Sequence, residues 1–71
     1  MGKFDDFIEA CIKLKLNEKT EKIDLPDRFD YNDIGMLSLE INDKVDKQFI
    51  ISLEVDWPNR KIFGTKFQAN Q

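Results

Sequence analysis

The sequence predicts a small all-α bundle in a single domain, with an α+β arrangement as the alternative. Three observations carry the helical reading. Phe4, Phe7, Ile8, Cys11 and Ile12 recur at helical spacing near the N-terminus. Leu37, Ile41, Val45 and Phe49 fall at successive i, i+4 positions and form one stripe of a second helix. Asn42–Lys47, inside that stripe, is charged and holds neither Gly nor Pro, which suits a helix better than a hairpin loop.

The first helix is expected over residues 3–16. Asp5 and Asp6 in its first turn, and Lys13 and Lys15 in its last, complement the helix dipole, and Asn17 is a stop signal. Cys11 lies on the apolar face and reads as a small core residue rather than a reactive thiol. Residues 17–35 read as one long polar connection, broken by Pro26, punctuated by Asp24, Asp27, Asp30 and Asp33, and pinned by Ile23, Leu25, Phe29 and Tyr31. A connection of that length in so short a chain usually has a purpose.

Residues 36–67 admit both readings. In the helical one, Phe49–Val55 is a short extended stretch tying helices together. In the other, Leu37, Leu39 and Ile41 alternate with Ser38 and Glu40, Phe49, Ile51, Leu53 and Val55 alternate with Ile50, Ser52 and Glu54, and Trp57-Pro58-Asn59-Arg60 turns the chain into Lys61–Phe67. That gives an N-terminal helix packed on a three-stranded antiparallel meander.

Composition narrows the function. The 71 residues allow one domain, 1–71, with a core near the lower limit of stability. Cys11 is the lone cysteine and histidine is absent, so an internal disulfide, an ordinary zinc site and Ser–His or Cys–His nucleophiles are excluded. A net charge of −3 disfavours nucleic acid and favours partners with basic surfaces. No apolar run reaches membrane-spanning length, no secretory leader is expected, and a lone reduced thiol suits the cytoplasm. Met1-Gly2 opens like a myristoylation signal, but Asp6 stands where Ser or Thr is needed. Asp30–Gly35 opens like a calcium loop, but Ile34 and Ile41 occupy ligand positions. Paired carboxylates such as Asp5/Asp6 and Glu40/Asp43 read as solvated, and no enzyme activity is expected.

At Asp33-Ile34-Gly35-Met36-Leu37-Ser38-Leu39-Glu40 the chain resembles the attachment region of acyl carrier proteins, where a D-L-G-x-D-S-L-[DE] stretch closes a long loop and opens the second helix. Leu37 stands where that family has Asp. Glu21-Lys22-Ile23 and Phe29 resemble the family's loop anchors, and Phe49-Ile50-Ile51-Ser52-Leu53 resembles its F-x-I-x-[IL] segment. Trp57-Pro58-Asn59 and Lys61-Ile62 are similar to the tail of D-alanyl carrier proteins. The resemblance implies an acyl-carrier-type bundle with a 4'-phosphopantetheine arm on Ser38, an acyl or aminoacyl group held on it as a thioester, and a monomer. A serine at a helix N-terminus would set the arm's phosphate against free backbone N–H groups. Leu39, Glu40, Asp43 and Asp46 would form the partner face, meeting a phosphopantetheinyl transferase and basic-surfaced acyl-transferring or ligating enzymes. The α+β alternative implies instead a small acidic protein-binding module, an inhibitor or immunity-type factor, with Trp57, Phe63 and Phe67 as contact residues.

Overall fold

The alternation from Phe49 to Val55 decides the second half of the chain. In the computed structural model, which describes residues 4–69, this stretch is a strand and the fold is α+β rather than all-α. The elements run α1 (Asp5–Ile12), β1 (Ile23–Asp24), α2 (Tyr31–Lys44), β2 (Phe49–Asp56) and β3 (Lys61–Gln68). Lys3, where the first helix is expected to start, and Met1-Gly2 lie outside the described residues. The sheet is antiparallel, in the order β1-β3-β2, with both helices against its inner face.

The all-α expectation fails because β2 and β3 carry apolar residues with period two. Phe49, Ile51, Leu53 and Val55 pack into or against the core while Ile50, Ser52 and Glu54 face out, and Ile62 of β3 is fully buried. The α+β alternative fits, with one change of strand. Leu37–Ile41 is helical, not the first strand of a meander. In a strand, Leu39 would share a face with Leu37 and Ile41. Instead it is exposed while they are buried, as a helical period requires. The third strand comes from the supposed long connection. Residues 17–25 run along β3, with Asn17 N–H donating to Lys66 O (2.7 Å), Thr20 N–H to Gly64 O (2.9 Å) and Leu25 N–H to Arg60 O (2.9 Å). The Thr20 hydroxyl accepts from Gly64 N–H at 2.8 Å, so a side chain completes the pairing where the regular ladder is interrupted.

α1 ends at Ile12 rather than near residue 16. Asn17, in the left-handed region at φ 66°, turns the chain toward β3, and Lys66 reaches back to donate to Leu14 O at 2.9 Å. The core joins Phe7, Ile8 and Cys11 of α1 to Leu37 and Ile41 of α2, Ile51 and Ile62 of the sheet, and Leu25, Phe29 and Val45 between elements. Burying each large aliphatic side chain contributes about 1.5–3 kcal/mol.

The β2–β3 turn spans Trp57–Arg60, as the alternation requires. Arg60 N–H donates to Trp57 O at 3.2 Å, and Asn59 Nδ2 donates to Asp56 Oδ2 at 2.9 Å. Arg60 sits at φ 55°, where a non-glycine residue is held only by its surroundings. Its guanidinium supplies them, donating to Pro26 O (2.8 Å), Asp27 O (3.2 Å) and Phe29 O (3.4 Å).

Candidate protein-docking face

α2 begins with reciprocal capping. The Asp30 carboxylate accepts from Asn32 N–H (2.9 Å) and Asp33 N–H (3.3 Å), and the Asp33 carboxylate accepts from Asp30 N–H (2.9 Å). The residues that open like a calcium loop are therefore a helix start. Among the described residues, no three His, Cys, Asp or Glu side chains group to hold a metal ion.

This start places Ser38 well inside the helix, not at its N-terminus. Its backbone N–H is used within the helix, its carbonyl accepts from Asn42 Nδ2 (2.9 Å), and its half-buried hydroxyl accepts a longer bond from the same amide (3.3 Å). The free N–H groups lie at residues 31–33, where Asp30 already takes two of them. Ser38 thus lacks the phosphate-stabilising position on which the carrier reading depends, and the helical bundle that reading required is replaced by a sheet with two helices.

The partner-face residues fare differently. Leu39, Glu40 and Asp43 stand exposed along α2, with Glu40 only 3.9 Å from Lys44 in a solvated pair of small energetic weight. Asp46 lies past the helix end, where its carboxylate accepts from Gln48 N–H at 3.0 Å. Sequence reasoning missed Met36 and misplaced Tyr31, which is expected to pin the connection to the core but opens α2 and faces water. Tyr31, Met36 and Leu39 are 78%, 72% and 75% exposed, well above the other large hydrophobic residues at the surface among the described residues. The available signal was that none of the three falls on the Leu37–Ile41 stripe, so a helix there must turn them to water.

Of the alternative contact residues, Trp57 is partly exposed, with its ring 6.4 Å from that of Phe29. Phe67 is exposed beside its cross-strand neighbour Ile50 on the outer face of the sheet. Phe63 does not stand free: Lys19 and Lys22 lie over its ring at 5.8 and 5.5 Å.

A groove runs on either side of α2. One, of about 480 Å³, lies toward α1 and is lined by Phe4, Ile8, Phe29, Met36 and Leu37 with Asp33 and Glu40 at hand. The other, of about 580 Å³, lies toward β2, between Ile34, Gly35 and Ser38 on the helix and Leu53 and Val55 on the strand. Between the second groove and the C-terminal end of the helix, Asn42 bridges to β2. Its Oδ1 accepts from Ile51 N–H (2.8 Å) and its Nδ2 donates to Ile51 O (3.2 Å), so a side-chain amide stands in for a neighbouring strand.

No family model matches the chain, and no curated protein or solved structure matches it. Among the described residues, no helix is long and apolar enough to cross a membrane.

Proposed function

We propose that the chain is a small protein-binding module that docks a basic partner on the outer face of α2. The observation that carries this reading is the concentration of Tyr31, Met36 and Leu39, the most exposed large hydrophobics among the described residues, on one helix beside Asp33, Glu40 and Asp43. Apolar side chains held in water gain on being covered, and carboxylates around them select a partner with Lys or Arg beside its own apolar contacts. A net charge of −3 favours encounter with such a surface. The single buried thiol and the absence of a second cysteine suit a reducing compartment, and the cytoplasm is the proposed setting.

The test compares partner capture from the source cell by the wild-type chain and by a Met36→Asp/Leu39→Asp variant. Both positions face water, so circular dichroism and the melting temperature should stay near wild type. A protein bound by wild type should be lost by the variant, with affinity falling at least about tenfold and weakening as salt rises. Equal binding by both chains would refute docking on α2.

A further inference from the structure

We infer that the groove between α2 and β2 receives an extended segment of the partner as an added strand, with a basic residue opposite Glu54. The inference rests on the protein-binding reading above and goes on to specify the mode of recognition.

The hydrogen-bond pattern of the ladder supplies the first argument. β2 pairs with β3 alone, in the register Ile51↔Lys66, Leu53↔Gly64 and Val55↔Ile62. In an antiparallel ladder, residues alternate between pairs that bond each other and pairs whose N–H and C=O point away. Asn42 takes the N–H and C=O of Ile51 from the side away from β3, so Ile51 belongs to the second kind. Leu53 and Val55, two and four residues on, share its parity. The far side of β3 agrees: Gly64 bonds Thr20, and Lys66 bonds Asn17 and Glu18. The N–H and C=O groups of Leu53 and Val55 therefore point out of the sheet, and no hydrogen bond to them is present among the described residues. An extended backbone is the ligand that satisfies donors and acceptors at this spacing.

The groove beside that edge has room for such a strand. A Cβ placed on Gly35 would meet nothing within 4 Å, so the helix wall is open there. Asn42 closes the edge at Ile51 and sets where the added strand must stop.

Charge selects the occupant. A second copy pairing through the same edge would place Glu54 directly opposite Glu54 of its partner, in the pair where side chains come closest, and like charges there are destabilising. A foreign segment with Lys or Arg at that position turns the same contact favourable. Its two flanking residues, opposite Leu53 and Val55, face the groove and should be apolar. The recognised pattern is apolar–basic–apolar in extended conformation.

The experiment pans random peptides displayed on phage against the wild-type chain, Gly35→Trp and Glu54→Lys. Gly35→Trp fills the groove from an open helix position, and Glu54→Lys reverses the selecting charge on an exposed strand position. Wild type should enrich apolar–basic–apolar peptides whose binding shifts the backbone amide resonances of Leu53 and Val55. Gly35→Trp should lose them by at least about tenfold, and Glu54→Lys should switch the central preference to Asp or Glu. Peptides that bind Gly35→Trp as well as wild type, or leave the Leu53 and Val55 amides unmoved, would overturn strand addition. If those peptides instead shift Met36 and Leu39, docking on α2 survives without it. Failure to enrich any peptide also overturns the inference, while partner capture by α2 remains the separate test of the broader reading.

Discussion

Cys11 and Gly64 set how closely α1 lies on the sheet. A Cβ at position 64 would stand 2.9 Å from Cys11 Sγ, 3.2 Å from Ile51 Cγ2 and 3.3 Å from Leu53 Cδ2, in a packed interior with little slack. Gly64→Ala should destabilise the fold by about 1–3 kcal/mol in urea titration. Adding Cys11→Ala, which removes the sulfur in the way, should recover part of that loss, so the double variant is more stable than the sum of the single effects. Burial pushes the Cys11 thiol up from an ordinary 9.0 to about 11. The folded chain then keeps a proton that the unfolded chain releases. Stability from this group is complete below pH 9.0 and declines as pH rises to about 11. Urea titrations across that range should show a decline in wild type that is smaller in Cys11→Ala. At the other end of the scale, hydrogen bonding from Asn59 and the nearby Lys22 charge hold the Asp56 carboxyl below its ordinary value, so its contribution is lost only as pH falls into the acid range.

At the scale of the element, α2 is stabilised at its start and weakened in its middle. Asp30→Ala removes the capping carboxylate and should lower stability by about 1 kcal/mol, whereas Gly35→Ala, at an exposed helical position with open space, should raise it by about 0.5–1 kcal/mol. Thermal unfolding followed by circular dichroism reads both. The same element marks how far the sequence was legible. Leu37, Ile41 and Val45 were readable as a buried stripe because helical period and burial agree. Phe49, the fourth member, is ambiguous in sequence because its spacing fits both periods, and the structure places it as the first inward residue of β2. The start of α2 was encoded in Asp30-x-x-Asp33, but two carboxylates near a glycine also open a calcium loop, and only the backbone partners distinguish the two. The two-residue strand β1 leaves no periodic signal, since it is held by backbone bonds to a strand distant in sequence. The exposed partner-face residues Leu39, Glu40 and Asp43 were found because any helix through them turns them outward. The groove was not, because it depends on how β2 lies beside that helix.

Across the whole molecule, the free edge of β2 is the surface most in need of control. Asn42 closes it at Ile51, and Glu54 opposes pairing between identical copies. Asn42→Ala should leave the Ile51 N–H and C=O unpaired and lower stability by about 1–3 kcal/mol. It also lengthens the open edge, so concentration-dependent association should emerge in sedimentation velocity for the variant, while the wild-type chain should sediment as a single species. The opposite, outer face of the sheet is managed differently: Lys22 pairs with Asp56 at 3.6 Å and Lys61 with Asp24 at 2.7 Å, leaving Ile50 and Phe67 as its exposed apolar pair. Two surfaces thus compete for the role of docking face, and α2 is favoured because its apolar side chains are the more exposed and lie among carboxylates.

The most direct measurement is amide hydrogen exchange on the chain alone and saturated with its captured partner. Docking on α2 predicts slowed exchange and a protected footprint over Tyr31–Lys44, and strand addition extends that footprint to Leu53 and Val55. Protection confined to the outer sheet residues around Ile50 and Phe67, with α2 exchanging as in the free chain, would contradict it.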